Sequence, residues 1–315
     1  MAEPIERLCP EAPASTLQGR RVFVLGLGFQ ATDVVLIGSL LFCTSLTVIF
    51  QARLKGAWAT IATNIIVGLL FCVSIWLQQR ASGRILKFAI RMTAAPLMIA
   101  YIFPLVSPLQ LMIFRNWNDD LVLKAEHAVF GVQPIIWIEK FISPALTEWL
   151  MFSYIIYFIL YPLLCGILYF KRGERGMEEY LFSLGLANFL CNLGAVLFPV
   201  AGPLFKIADQ YTVPLKGYFF TSLGEYVRNN LQAIGSSLPS PHCASATVMW
   251  IMAYKYHRPT FYALSPIVIS IYIATVYCRY HYVSDSVFGI LTALGTLLII
   301  PSLAKAWDRR ADRQR

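Results

Sequence analysis

The chain has 315 residues, 57% of them hydrophobic and 14% charged, with a mean hydropathy of +0.61. An ordinary soluble domain is roughly 45–50% apolar, so this composition excludes a soluble globular protein and favours one that crosses a membrane many times. A net charge of +9 would suit nucleic acid in a soluble chain; here Lys and Arg cluster in short connections between apolar runs, which is the positive-inside pattern, and no nucleic-acid partner is expected.

Residues 1–21 read as a cytosolic tail ending in Arg20 and Arg21, with no early apolar core and therefore no removable signal peptide. Val24–Ala31 follows, a formal match to the glycine pattern of dinucleotide-binding turns. That fingerprint needs a strand before it, an amphipathic helix after it and an acidic residue about twenty positions on. An apolar run to Phe50 stands there instead, so the segment reads as a membrane entry.

Crossing the hydrocarbon takes about twenty apolar residues. Runs of that kind lie at about 31–50, 57–77, 88–114, 146–170, 178–199, 243–256 with its flanks, 260–279 and 284–304, the sixth being the shortest. The expected fold is therefore an all-α polytopic bundle of about eight spans. Residues 22–114 would form N-terminal transmembrane helices, 115–304 a membrane core and 305–315 a basic cytosolic tail. With alternating spans, four basic groups fall on one face: Arg80 to Arg91, Lys171 to Arg175, Lys255 with Arg258, and Arg309 to Arg315. The positive-inside rule makes that face cytosolic, with both termini inside. Arg53 and Lys55 fall on the other side.

On the opposite face emerge two longer connections, 115–145 and 200–242, and a short turn around Arg279–Asp285. The first has the Trp content of a helix at the membrane interface. The seven cysteines include no Cys-x-x-Cys pair, and Cys43, Cys72, Cys165 and Cys191 lie in apolar runs, so no disulfide framework is expected.

The chemistry concentrates in Ser236–His242 and Arg279–Asp285, which hold two of the four histidines. Ionisable groups at membrane depth are costly and face a cavity or one another. His281 and Asp285 are four apart and would share a face of a helix entering the membrane. The carboxylate can take the proton of one imidazole nitrogen and leave the other free to attack, although the same pair also serves as a structural hydrogen bond. Ser240 can cap the helix of the sixth run, whose free amides make a phosphate site. His242 in its first turn can protonate a leaving alcohol and deprotonate the next acceptor.

Two such motifs flanking one hairpin on one face resemble the type 2 phosphatidic acid phosphatase superfamily, whose membrane enzymes carry a Pro-Ser-x-His element and a later His-x-x-x-Asp element. Phe198–Pro203, Asp119–Pro134 and Ala274–Tyr282 resemble its inositol phosphorylceramide synthase-like, inositolphosphotransferase branch. The resemblance covers roughly residues 115–290. It implies that His281 is a nucleophile forming a phosphohistidine, Asp285 its orienter, His242 the general acid and then base, and Ser240 a phosphate contact. Pro241 stands where many of the phosphatases have Gly. Two losses move the chain away from them: no Lys-x₆-Arg-Pro element precedes Pro239, and Thr275 stands where they carry an Arg.

Phosphoryl transfer needs cations or donors around the equatorial oxygens. Arg279, Arg228 and Lys216 are the candidates on this face, with Lys206 beside them, and each can equally meet anionic lipid headgroups. His127 beside Glu126, Asp119 and Asp120 offers no three ligands at fixed spacing, so no metal and no cofactor is expected. His257 reads as a loop residue on the cytosolic side. The functional expectation is a lipid phosphate-ester phosphotransferase of the plasma (inner) membrane, working at the non-cytosolic surface. Its partners would be a phospholipid or other lipid phosphate and a lipid alcohol acceptor. A lipid phosphate phosphatase, with water as acceptor, is the alternative within the class; a transporter or membrane scaffold is the alternative outside it.

Overall fold

The structure is a computed structural model, described here for residues 20–231 and 234–314. The expectations about a leading tail and a signal peptide concern residues outside that range, apart from Arg20 and Arg21. The chain opens with an antiparallel hairpin of β1 (Val22–Val24) and β2 (Leu27–Phe29). Its two-residue turn, Leu25 and Gly26, has positive φ at both positions (50° and 81°), the twist that matches paired strands. This small addition to an otherwise helical fold accounts for the glycine pattern near residue 26.

Among the described residues, six helices are long and apolar enough to cross a membrane. They are α1 (Ala31–Ile49), α2 (Ala57–Arg80), α3 (Arg84–Leu105, apolar on to Ile113), α5 (Pro144–Leu197), α8 (Arg258–Tyr277) and α9 (Val283–Asp312). Between α3 and α5, α4 (Asp119–Phe130) and the following Pro134–Phe141 segment form a pair bent by 69°. Before α8 come α6 (Phe219–Leu231) and α7 (Pro241–Tyr256). The 54-residue α5 is two crossings, because its backbone leaves helical geometry at Gly173 (φ 75°, ψ −168°). At a rise of about 1.5 Å per residue a straight helix would put Tyr161 and Asn188 about 40 Å apart. Asn188 instead donates to the Tyr161 hydroxyl at 3.2 Å, so the chain reverses. The sixth expected run is α7, only 16 residues long and packed among α5, α8 and α9.

Only helices and closed barrels satisfy every backbone group in hydrocarbon, and the exposed large apolar side chains of α1, α2, α3, α5 and α9 form the lipid-facing surface. The main core runs from Leu36 through Met98, Leu164, Tyr180, Val248 and Ile271 to Ala293, drawing on nearly every crossing. Residues 305–312, expected as a tail, continue α9 as helix, since Lys, Ala, Trp and Arg extend a helix beyond the apolar segment at little cost. There they meet the start of the chain: Trp307 donates to the Arg20 carbonyl at 2.9 Å, and Arg20 pairs with Asp312.

That end of the bundle also gathers the basic connections. Arg172 donates to the Tyr256 carbonyl at 2.9 Å, and Lys255 pairs with Glu179 at 2.5 Å. Arg91, expected in a connection, is 2% exposed inside α3. It pairs with Asp33 and, at 2.8 Å, with Glu178. This triad fastens α1 and α3 to α5, and removing its cation would strand two buried carboxylates. Arg91→Met is therefore expected to cost about 3–5 kcal/mol and to lower the melting temperature of the detergent-purified protein markedly. An unchanged melting temperature would show that the triad contributes nothing to the bundle.

Candidate active site

At the other end the two histidine-bearing turns come together. Helix α8 finishes in a Schellman motif: Tyr280 N–H returns to the Thr275 carbonyl at 3.0 Å and Arg279 N–H to Val276 at 3.0 Å. Arg279 occupies the left-handed position, φ 68°, where glycine is usual. His281 N–H also reaches the Thr275 carbonyl, at 2.8 Å, so the turn is fixed before α9 begins.

The expectation that His281 and Asp285 share one helical face is corrected here. Tyr282 is the N-cap of α9, which places His281 outside the helix and Asp285 in its first turn. Asp285 reaches back to accept the Tyr282 N–H at 2.9 Å, a capping contact, and this draws the carboxylate toward the imidazole. Its Oδ2 lies 3.6 Å from His281 Nδ1. Ser237 stands between them: its hydroxyl donates to Asp285 Oδ2 at 2.5 Å and lies 3.3 Å from His281 Nδ1, and its carbonyl is 3.1 Å from the same nitrogen. Asp285 Oδ1 is buried without a partner among the described residues.

Ser240 caps α7, accepting the Cys243 N–H at 3.4 Å. Its own N–H donates to the Asp285 carbonyl at 2.9 Å, so the two turns share a main-chain bond. The Ser240 hydroxyl is fully buried in this cap. His242 follows in the first turn, its ring centroid 5.7 Å from that of His281. It lies against Tyr154, whose hydroxyl is 3.1 Å from His242 Nε2, and Tyr154 stacks on Tyr280 at 4.2 Å. His242 Nδ1 has no partner among the described residues.

The candidate cations are arranged unequally. The helix ends before Arg279, as a phosphate role there would require, but the guanidinium turns to Glu139 at 2.6 Å, to the Val213 carbonyl and onto the Tyr211 ring. Burial pulls Arg279 below the usual arginine value while Glu139 pulls it back up; burial likewise pushes the Tyr211 phenol up. Arg228 on α6 is half-buried, 3.4 Å from Glu225, and its charge is felt at Tyr211, Arg279 and Tyr280. Lys216 is exposed, and Lys206 pairs with Asp120 at 2.8 Å. His127 is exposed on α4, and His257 sits at the opposite end against Thr260 at 2.7 Å. No group of three His, Cys, Asp or Glu side chains is arranged to hold a metal among the described residues.

Four contributors had little or no sequence signal. Asp119, fully buried, accepts the Ala201 and Gly202 N–H groups at 2.8 and 3.0 Å and the Tyr282 hydroxyl at 3.0 Å. Glu126 accepts the Ser284 N–H and hydroxyl at 2.7 and 2.8 Å, closing the start of α9. These two were conspicuous only as carboxylates in an apolar chain. Ser237 lay within the polar stretch around His242, and Tyr154 was one aromatic among many.

Fold and site together define a polytopic helical membrane protein with a paired-histidine polar centre at one end. Residues 120–299, more than half of the chain, match the family model of the PAP2 superfamily, and the chain belongs to that superfamily. A PA-phosphatase related-family protein of Dictyostelium discoideum is 29% identical over 201 residues, a match covering 56% of this chain and 36% of that relative. The chain thus spans about a third of its relative's length. No solved structure matches the chain.

Two glycines let the Pro239–Ser240 turn nest. A Cβ at Gly289 would stand 2.4 Å from the Ser240 carbonyl oxygen, and one at Gly194 2.5 Å from Pro239 Cδ. Gly289→Ala must push backbone rather than a flexible side chain. It is expected to cost about 1–3 kcal/mol, read as a lower melting temperature. A variant as stable as the parent would show that the turn is free to move.

Proposed function

We propose that the protein is a lipid phosphate-ester phosphotransferase that works through a phosphohistidine on His281. The observation that carries this reading is the approach of two imidazoles to 5.7 Å in a PAP2-superfamily chain, one of them held at Nδ1. With Nδ1–H given to the Ser237 carbonyl, the lone pair of Nε2 is free to attack phosphorus. The phosphorus–oxygen bond to the leaving alcohol breaks as the bond to Nε2 forms. Asp285, through the Ser237 hydroxyl and directly, balances the positive charge then carried by the imidazole.

His242 supplies the proton. It does so as the imidazolium: Nε2–H donates to the Tyr154 hydroxyl, and the Nδ1 proton passes to the departing oxygen, leaving the imidazole neutral. In the second half the acceptor's oxygen gives its proton back to His242 and attacks phosphorus, and the bond to His281 breaks. The phosphate's negative oxygens fall to Arg228 and Lys216 with the His242 main-chain N–H; Arg279 contributes only if it leaves Glu139, and Ser240 acts mainly by shaping the turn.

The acceptor divides two readings. The absence of Lys-x₆-Arg-Pro and the Thr275 position favour an alcohol, as in the inositol phosphorylceramide synthase-like branch; water would make the protein a lipid phosphate phosphatase. The basic residues gathered at the far end favour a cytosolic location for that end and for both termini, leaving the histidines on the non-cytosolic face.

The test supplies the detergent-purified protein with phosphorus-labelled lipid phosphate and candidate acceptor lipids. Label should enter a new lipid or free phosphate, with an acid-labile adduct on the protein. His281→Ala should abolish turnover and adduct together. His242→Ala should lose about 10²–10⁴-fold. A parent that turns over no phosphate ester, or a fully active His281→Ala, would end the enzyme reading and leave a transporter or scaffold.

Ser237→Ala removes one hydrogen bond to a charged group, worth about 1.5 kcal/mol, and should slow turnover about tenfold with KM little changed. Ser237→Thr, which keeps the hydroxyl, should recover most of that. An alanine variant with parental rates would show that Asp285 orients His281 without help.

A further inference from the structure

The end of the bundle remote from the histidines contains a cavity of about 340 Å³ between the end of α2, the start of α3 and the Gly173 reversal of α5. Gln78, Arg84, Lys87, Phe88, Tyr169 and Glu174 line it. Phe88 and Tyr169 stack at 4.4 Å as an apolar wall. Gln78 is only 3% exposed, and its side-chain amide has no hydrogen-bond partner among the described residues. An unpartnered amide that opens onto a cavity favours a polar occupant.

The charge of the cavity is positive. Its one carboxylate, Glu174, is already engaged by Gln30 at 3.1 Å and Arg21 at 3.5 Å. Arg84 rests on the Tyr169 ring at 5.0 Å and spends one N–H on the Tyr169 carbonyl, which leaves the rest of its fork unspent. Lys87 has no anionic partner among the described residues. Beside these lining positions the chain turns apolar groups outward: Leu77, Ile85, Leu86 and Phe170 are all exposed. Trp76, carrying the Arg80 guanidinium at 4.6 Å, adds an aromatic of the kind that settles at a membrane interface.

We propose that this cavity binds the phosphate of an anionic phospholipid headgroup, in the leaflet opposite the histidine site. Lys87 and Arg84 meet the phosphate oxygens, the Gln78 amide donates to one of them, and the acyl chains run along Leu77, Ile85, Leu86 and Phe170. Basic pockets between helices are suited to this chemistry, and the volume accommodates a small headgroup. Because α2, α3 and α5 all wall the cavity, a bound lipid braces the N-terminal helices against the rest of the bundle. The proposal does not depend on the chemistry at His281.

The full chain, purified in detergent and stripped of lipid, would be titrated with phosphatidylglycerol, with phosphatidylcholine and with inorganic phosphate. Native mass spectrometry would count bound lipid and a thermal melt would read its effect. One phosphatidylglycerol per chain should be retained at least tenfold more tightly than phosphatidylcholine, and it should raise the melting temperature. Lys87→Gln and Gln78→Leu should each weaken retention several-fold, and Arg84→Gln with Lys87→Gln at least tenfold. Arg310→Gln, which removes a charge at the same end outside the cavity, should bind as the parent does. Equal retention of the two lipids, or variants that bind like the parent, would overturn the site. A melting shift from inorganic phosphate as large as that from phosphatidylglycerol would overturn the lipid as its source. If the double variant does not fold, Lys87→Gln alone, at a half-buried position, decides the matter.

Discussion

Asp285 is the residue on which the geometry of the polar centre depends. Its carbonyl takes the Ser240 N–H, and its carboxylate takes the Tyr282 N–H and the Ser237 hydroxyl. One residue thereby holds both histidine-bearing turns, which the sequence separates by the whole α7–α8 hairpin. Hydrogen bonds to a charged group are the strong ones, and a water-poor interior strengthens them further. The arrangement also requires that nothing stand between the elements, which is why Gly289 faces Ser240 and Gly194 faces Pro239. With those contacts made, His242 and His281 can only sit side by side.

The same accounting explains why so apolar a chain keeps its carboxylates. Irregular backbone near membrane depth survives only where protein groups satisfy it. Asp119 serves the loop at Ala201 and Gly202, Glu126 the start of α9, and Glu148 the start of α6, where it accepts the Tyr218 and Phe220 N–H groups at 2.7 Å each. At the other end Asp33, Glu178 and Glu179 hold Arg91 and Lys255. The two ends thus differ in kind. At one, carboxylates bind backbone and leave a polar centre; at the other, they neutralise a basic rim.

The paired histidines lie at one end of the bundle, within the residues that match the PAP2 superfamily model. The engagement of Arg279 with Glu139 and Tyr211 makes that arginine a strut between the 207–218 loop and the turn before His281. In the proposed mechanism this shifts the charge-balancing role toward α6, whose Arg228 also acts electrostatically on Tyr211. Ser237 gains correspondingly, as the group in contact with both His281 and Asp285.

Read alone, the sequence determined the architecture. Apolar runs at 57–77, 243–256 and 260–279 anticipate Ala57–Arg80, Pro241–Tyr256 and Arg258–Tyr277 within a few residues, because hydrocarbon thickness and helical rise leave little freedom. It also marked His242, His281 and Asp285, since ionisable groups are conspicuous in such a chain. Tertiary structure alone decided how they meet. The spacing of His281 and Asp285 suggested a helical face, whereas the helix begins between them and the carboxylate arrives by capping. The partners that fix Arg91, Arg279 and Tyr282 lie 58, 140 and 163 residues away in the chain. No local pattern encodes contacts of that range; they follow from which helices pack together and which backbone groups the packing leaves unpaired.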